Sequence, residues 1–247
     1  MSILVRSIIF NAFFYVNTTF MLLLALPTFF MPFQAIVWVA KTWGRINLFM
    51  LRAICGVKFE LRGREKIPKG PLLVAAKHQS AWETFALVHL FDDPLFIVKR
   101  ELTWIPIFGW LMIKGRMVPV DRRAGGQALT AMTERARIEL AANRQLIIFP
   151  EGTRRAAGAE PRYKHGVAHL YASMQVPCVP IALNSGLFWS RRTMRRIPGT
   201  VIVEILDPIQ PGLDKEAFFK RLQSDIETAT ARLIDEGLKE IAAKSGA

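Results

Sequence analysis

The chain has 247 residues, 51% of them hydrophobic, and sets 33 Lys and Arg against 20 Asp and Glu for a formal net charge of +13. That apolar content excludes a disordered basic tail, and a charged fraction of 21% excludes a polytopic protein lodged mostly in lipid. The length suits one sizeable domain with an appendage, long enough to bury a core without staples.

No charged side chain occurs between Arg6 and Lys41. One transmembrane helix needs ~20 apolar residues and fits there, whereas two full spans and a turn do not. Two shorter helices forming a hairpin in one leaflet also fit, with Pro27 and Pro32 as break points. Asn11, Asn17, Thr18 and Thr19 interrupt the apolarity. A signal peptide is disfavoured, because its apolar region runs only ~7–15 residues and no A-x-A site comes after it. Lys41, Arg45, Arg52 and Lys58 come next, so the positive-inside tendency places the rest of the chain on the cytoplasmic side. The expected organisation is a membrane anchor over residues 1–41 and a basic domain over residues 42–247.

Beyond residue 57, β-branched runs alternate with helical periodicity. Strands are expected at Val57–Leu61, Leu72–Ala76, Phe96–Lys99, Met117–Val120, Gln145–Phe149, Cys178–Leu183 and Val201–Leu206. Helices are expected at Ala81–Leu90, Gly126–Asn143 and His165–Met174, with one or two more over Lys215–Ala243. Trp104–Ile113, with Pro106 and Gly109, reads as an irregular helix or loop. The fold class is therefore α/β: a mixed, mostly parallel central sheet flanked by helices, preceded by the anchoring helical segment.

Charge and cysteine usage narrow the partners. A basic domain asks for phosphate-rich ligands, but there is no CxxC finger, no aromatic RNP pattern and no heptad run, so nucleic acid is not expected. Beside an anchor an anionic leaflet is the better partner, since each exposed Lys or Arg near it adds ~1 kcal/mol of attraction. The densest basic cluster, Arg191, Arg192, Arg195 and Arg196, reads either as a solvated loop or as part of that charge. Cys55 and Cys178 form neither a disulfide framework nor a zinc signature, and point to a reducing compartment.

Three stretches carry chemistry. In PLLVAAKHQSAWETFAL, His78 comes after a buried strand and precedes a helix, at the sheet edge where α/β proteins bind ligands. Histidine exchanges protons near neutral pH, and Glu83 could fix its tautomer and stabilise its cation. Positions five apart do not share a helix face, so the pair meets only if His78 lies before the helix. Ser80-Ala81-Trp82-Glu83 is also a capping box, which gives Glu83 a purely structural alternative. In FPEGTRR, Pro150 ends a strand, Gly152 permits an unusual backbone angle and Arg154 offers bidentate donors suited to phosphate; the alternative is an ordinary polar turn. KRELTWIPIFGWLMIKGRMVPVDRR mixes large apolar side chains with Lys114, Arg116 and Arg122, the mixed character of a greasy tail and an anionic head.

KHQSAWE, ELTWIPIFGW with VDR, IIFPEGTR and VPCVPIAL occur in this order. Together they resemble the four motifs of the glycerolipid acyltransferases, in particular the bacterial 1-acylglycerol-3-phosphate acyltransferases. RGREKIP ahead of them and YKHGVAHL behind the third fit the same family, and the resemblance runs from about residue 57 to residue 206. Two departures stand in the first motif, where Lys77 replaces the family's Asn and Glu83 its Asp. The second keeps the carboxylate and changes its reach.

The resemblance implies acyl transfer from acyl-CoA or acyl carrier protein to the sn-2 hydroxyl of lysophosphatidic acid, giving phosphatidic acid. His78 would be the general base, oriented by Glu83. Arg122 and Arg154 would hold the phosphate, and Glu151, Gly152 and Thr153 match the family's binding motif. Backbone N–H groups around Gly152 would stabilise the oxyanion. No cofactor, metal or covalent intermediate is implied, and the expected place is a bacterial inner membrane with the catalytic domain facing the cytoplasm. Ser80 lacks the G-x-S-x-G elbow of an acyl-serine enzyme.

His165 and His169 stand four apart on an expected helix like a metal pair, but Gly166 occupies the position of an HExxH base, so a structural or surface role is expected. His89 and Cys178 read as packed residues. Two other functions are open: acylation of another lysophospholipid or a lyso-aminolipid, and a non-enzymatic anchored module binding anionic lipid. The His78–Glu83 pair argues against the last, since a binding module has no use for a base.

Overall fold

The computed structural model describes residues 1–121 and 125–245. It begins with α1 (Ile3–Leu24), a 3₁₀ segment over Leu26–Phe30 and α2 (Gln34–Cys55). Next come β1 (Val57–Arg62), β2 (Leu72–Ala76), α3 (Glu83–Ala86), β3 (Pro94–Lys99), α4 (Phe108–Lys114) and β4 (Val118–Val120). The remainder is α5 (Gly125–Ala141), β5 (Gln145–Ile148), α6 (Gly166–Met174), β6 (Cys178–Leu183), α7 (Ser185–Phe188), β7 (Gly199–Ile205) and α8 (Lys215–Ser245).

The strands form one seven-stranded sheet in the order β1-β7-β6-β2-β5-β3-β4. Every neighbouring pair is parallel except β6 with β7. This is the mixed, mostly parallel α/β sheet the sequence leads one to expect. β2 lies at its centre and is buried along its whole length, which explains its unbroken apolar run. Its side chains alternate between two cores. Leu72, Val74 and Ala76 face a core shared with Trp82, Phe85 and Leu51, while Leu73 and Ala75 face one shared with Leu170, Cys178 and Leu222. Cys55 and Cys178 are free and buried.

Two expectations change in detail, and the open number of C-terminal helices resolves to one. Ala81–Leu90 is not one helix: α3 is a single turn continued by a 3₁₀ turn over Leu87–His89, and its entry uses the i→i+3 bonds Thr84 N–H to Ala81 O and Phe85 N–H to Trp82 O. The Trp104–Ile113 stretch splits at Ile107, whose φ of 62° separates a 3₁₀ turn over Arg100–Trp104 from α4. Gly109 is required there, because a Cβ would collide with the Thr103 carbonyl. The C-terminal stretch is one helix, α8.

The apolar N-terminus forms two helices folded back on each other, and α2 runs without a break past Lys41 to Cys55. Ile3–Phe30 is long and apolar enough to cross a membrane. Ser7, Asn11 and Thr18 inside that stretch have partners further along the chain. Ser7 Oγ accepts from Arg196 N–H at 2.8 Å, and Asn11 Oδ1 accepts from the Arg196 guanidinium at 2.7 Å. Asn11 also donates to the Met194 carbonyl at 2.9 Å, and Trp43 Nε1 donates to Thr18 Oγ1 at 3.0 Å. Arg196 is thus buried, over the Trp189 ring at 4.1 Å, and is no part of a solvated cluster. The opposite face of α1, including Leu4, Ile8, Val16 and Phe20, is exposed.

Candidate active site

β2 and β5 are parallel neighbours, so the loops after their carboxyl ends lie side by side. One loop carries His78 and the other runs from Phe149 to Arg155. The His78 ring stacks on Phe149 with centroids 3.9 Å apart, and His78 O accepts from Arg155 N–H at 2.8 Å.

His78 Nδ1 lies 3.3 Å from Glu83 Oε2. His78 precedes α3 and Glu83 opens it, which is the geometry that lets residues five apart meet. Glu83 is fully buried. Its oxygens also accept from Gln79 N–H at 3.2 Å and from Ser80 N–H at 3.0 and 3.1 Å, while Ser80 Oγ accepts from Trp82 N–H at 2.9 Å. One carboxylate therefore both caps the turn and faces the imidazole; the two readings of Glu83 are compatible.

A further donor holds it. Ser185, at the start of α7 just beyond β6, donates its hydroxyl to Glu83 Oε1. Gln79 Oε1 accepts from the next amide, Gly186 N–H, at 2.9 Å. Sequence reasoning did not single out Ser185. The available signal was its place: a hydroxyl two residues past a buried strand that neighbours β2.

His78 opens onto a cavity of about 820 Å³. Its apolar walls come from the helical hairpin, the sheet and α4, with Met21, Leu22, Ile36, Val39, Phe96 and Leu111. Gly152, Lys99, Lys164, His165 and His169 also line it. His165 and His169 thus wall the cavity, with the His165 ring stacked on Phe219 at 4.5 Å. Among the described residues no cluster of His, Cys, Asp and Glu could hold a metal ion.

The residues expected to bind substrate fall in different places. Gly152 lines the cavity with φ of 64°, but its N–H donates to Phe149 O at 2.8 Å and is therefore engaged within the turn rather than pointing at an oxyanion. Thr153 and Arg154 are exposed on the same loop, and Arg154 has no ion-pair partner among the described residues. Glu151 is turned the other way. Its side chain is buried and pairs with Lys77 at 3.2 Å, and burial pushes its carboxyl above the usual carboxylate range against the opposing pull of Lys77. Arg122 lies outside the described residues.

Known proteins place this architecture. The family model described as acyltransferase matches residues 58–184. A 1-acyl-sn-glycerol-3-phosphate acyltransferase of Pseudomonas aeruginosa is 31% identical over 212 residues, which is 85% of this chain and 81% of that relative. The mouse 1-acyl-sn-glycerol-3-phosphate acyltransferase alpha is 31% identical over 169 residues, 67% of this chain and 59% of the relative. Among solved structures, the 1-acyl-sn-glycerophosphate acyltransferase of Thermotoga maritima superposes with a TM-score of 0.78 at 22% identity, covering 94% of this chain and 98% of that one. The fold agrees with that structure, and the matched segment begins in β1, ends just past β6 and contains both the His78 loop and the 150–155 loop: this chain belongs to the acyltransferase family.

Proposed function

We propose that this protein transfers a fatty acyl group from a thioester, acyl-CoA or acyl carrier protein, to the sn-2 hydroxyl of lysophosphatidic acid, forming phosphatidic acid. The names of its relatives support the acceptor. The observation that carries the reading is His78, fixed through Nδ1 by Glu83 and facing a cavity lined mostly by apolar side chains together with Lys99 and Lys164.

With Nδ1–H directed at Glu83, Nε2 is the basic nitrogen. It takes the proton of the acceptor hydroxyl as that oxygen attacks the thioester carbonyl. The C–O bond forms, the tetrahedral centre collapses, the C–S bond breaks, and His78 returns the proton to the departing sulfur. A positioned base of this kind contributes ~10²–10⁴-fold. Glu83 stabilises the imidazolium formed in between. The apolar lining of the cavity suits an acyl chain. Arg154, exposed two residues along the loop from Gly152, is assigned to the acceptor phosphate, with Arg122 and Thr153 as further contacts. This chemistry needs no cofactor or metal.

The exposed apolar face of α1 and the basic residues after it support a place on the cytoplasmic face of a bacterial inner membrane. In this reading residues 1–41 supply the membrane contact and the domain over residues 42–247 the chemistry, α2 being shared by both. The test is acylation by the purified full chain with labelled acyl-CoA across a panel of lyso-lipids. Phosphatidic acid as the preferred product supports the assignment, and a clear preference for another lyso-lipid moves the acceptor.

A further inference from the structure

Lys77 immediately precedes His78, yet no step of the transfer uses it. Its side chain is buried, and an ammonium out of water is strongly disfavoured unless paired. Two carboxylates meet it from distant parts of the chain: Glu151 Oε1 at 3.2 Å and Glu227 Oε1 at 2.7 Å. Tyr163 donates its hydroxyl to the same Glu227 oxygen at 2.8 Å, and its ring lies 5.8 Å from the Lys77 ammonium.

The placement of these groups is what matters. Lys77 is the chain neighbour of His78. Glu151 is the chain neighbour of Gly152 and stands three residues before Arg154. Glu227 belongs to α8, which packs on the sheet beneath both loops through Leu222 and Ile226. One buried ammonium therefore joins the loop that carries the base to the loop assigned to the acceptor, and ties both to a helix. The asparagine that the resembling family carries at this position is too short to reach two carboxylates.

We propose that Lys77 is a positioning residue for acyl transfer: its ion pair to Glu151 holds the 150–155 loop in register with His78, while the pair to Glu227 ties it to α8. This rests on the acyltransferase reading above. The register has a local reporter, the Arg155 N–H bond to His78 O at 2.8 Å.

The test compares wild type, Lys77→Met, Lys77→Arg and Glu227→Gln as full chains in the same detergent. Hydrogen–deuterium exchange of the peptide containing Arg155 reads the register without reference to any acceptor. Lys77→Met is expected to lose protection there, whereas Glu227→Gln, which leaves the Lys77–Glu151 pair, keeps it. With lysophosphatidate and labelled acyl-CoA, Lys77→Met is expected to lower kcat at least tenfold and raise acceptor KM at least tenfold, with donor KM within twofold of wild type. Lys77→Arg, which keeps the charge, is expected to recover at least part of both. A Lys77→Met enzyme that melts earlier but keeps its kinetic constants and its Arg155 protection overturns the proposal. So does a Glu227→Gln enzyme that matches Lys77→Met in every constant, because Lys77 would then only anchor α8. If Lys77→Met does not fold, Lys77→Arg and Glu151→Gln are read by the same exchange and kinetics. A wild type inactive on lysophosphatidate rejects the acceptor assignment alone, and the exchange comparison still decides the role of Lys77.

Discussion

The Ser185 hydroxyl donates to Glu83 Oε1 across 102 positions of sequence, so the carboxylate that faces His78 is held from β6 as well as from its own turn. A hydrogen bond to a charged group contributes ~1.5–3 kcal/mol. The Gln79 and Ser80 amides remain after Ser185→Ala, so the loss should fall at the lower end. About tenfold in kcat is expected, with substrate KM values little changed. Steady-state kinetics check this, and a wild-type kcat would remove Ser185 from the orienting set.

The dyad itself allows a sharper test. In Glu83→Gln the size is kept, but the amide NH₂ directed at Nδ1 favours the tautomer with Nε2 protonated. The base would then be blocked with little change in packing. A fall of ~10²–10⁴-fold in kcat is expected, with His78→Ala at least as severe and both proteins folded by circular dichroism. Retention of near-wild-type turnover by either variant would end the base assignment.

Arg154 is exposed, and its backbone carbonyl rather than its guanidinium is engaged, accepting from Arg191 at 2.9 Å. Arg154→Ala should therefore leave stability unchanged and act on binding. A charge-assisted phosphate contact of ~1.5–3 kcal/mol corresponds to a rise of about 10–100-fold in acceptor KM. Initial rates against lysophosphatidate concentration measure it, and an unchanged acceptor dependence speaks against a phosphate role.

Much of this site was legible from local pattern, and the unread part has one physical cause. The β2 run of LLVAA, the turn after it and the His78–Glu83 spacing are local, so sequence placed His78 at the carboxyl edge of the sheet, where the structure has it. Glu83 could cap and orient at once because both demands fall within one turn. Ser185 and Glu227 were invisible because their contacts depend on how strands stack: β6 beside β2 in the register Ala76 to Ile181, and α8 across the sheet. Glu151 matched a binding motif, yet its neighbour Lys77 draws it inward. Along α1, Asn11 looked like an interruption of an apolar run, and only the packing of Arg196 against it and against Ser7 gives both a partner.

His89 makes stability depend on pH. Its imidazole is half-buried against Gly44, and burial, with Arg45 and Lys41 adding, pushes its pKa down to about 4 from 6.5. The unfolded chain therefore takes up this proton first as pH falls. The contribution is present above pH 6.5 and is lost as pH drops from 6.5 toward 4. Thermal unfolding should show a melting temperature that falls across that window, and His89→Gln should flatten part of the fall. Parallel pH curves for the two proteins would assign the acid limb to other groups.

The last prediction separates membrane contact from folding. Deleting residues 1–40 should release the protein from membranes, but it also removes the first two turns of α2 and takes Ser7 and Asn11 from buried Arg196. It would further expose Trp189, against which Phe10 packs edge-on at 5.5 Å. Loss of activity in that deletion would therefore say little. The outer face of α1 offers a cleaner change, since Leu4, Ile8 and Phe20 are about half exposed and point away from the domain. Burying a side chain of this size in an apolar phase is worth ~1.5–3 kcal/mol. Replacing all three by Ser should weaken partition into vesicles at least about hundredfold while leaving the melting temperature and the turnover of micellar substrate near wild type. Flotation with vesicles measures the first and a detergent assay the second. If the triple variant floats as well as wild type, α1 does not supply the membrane contact.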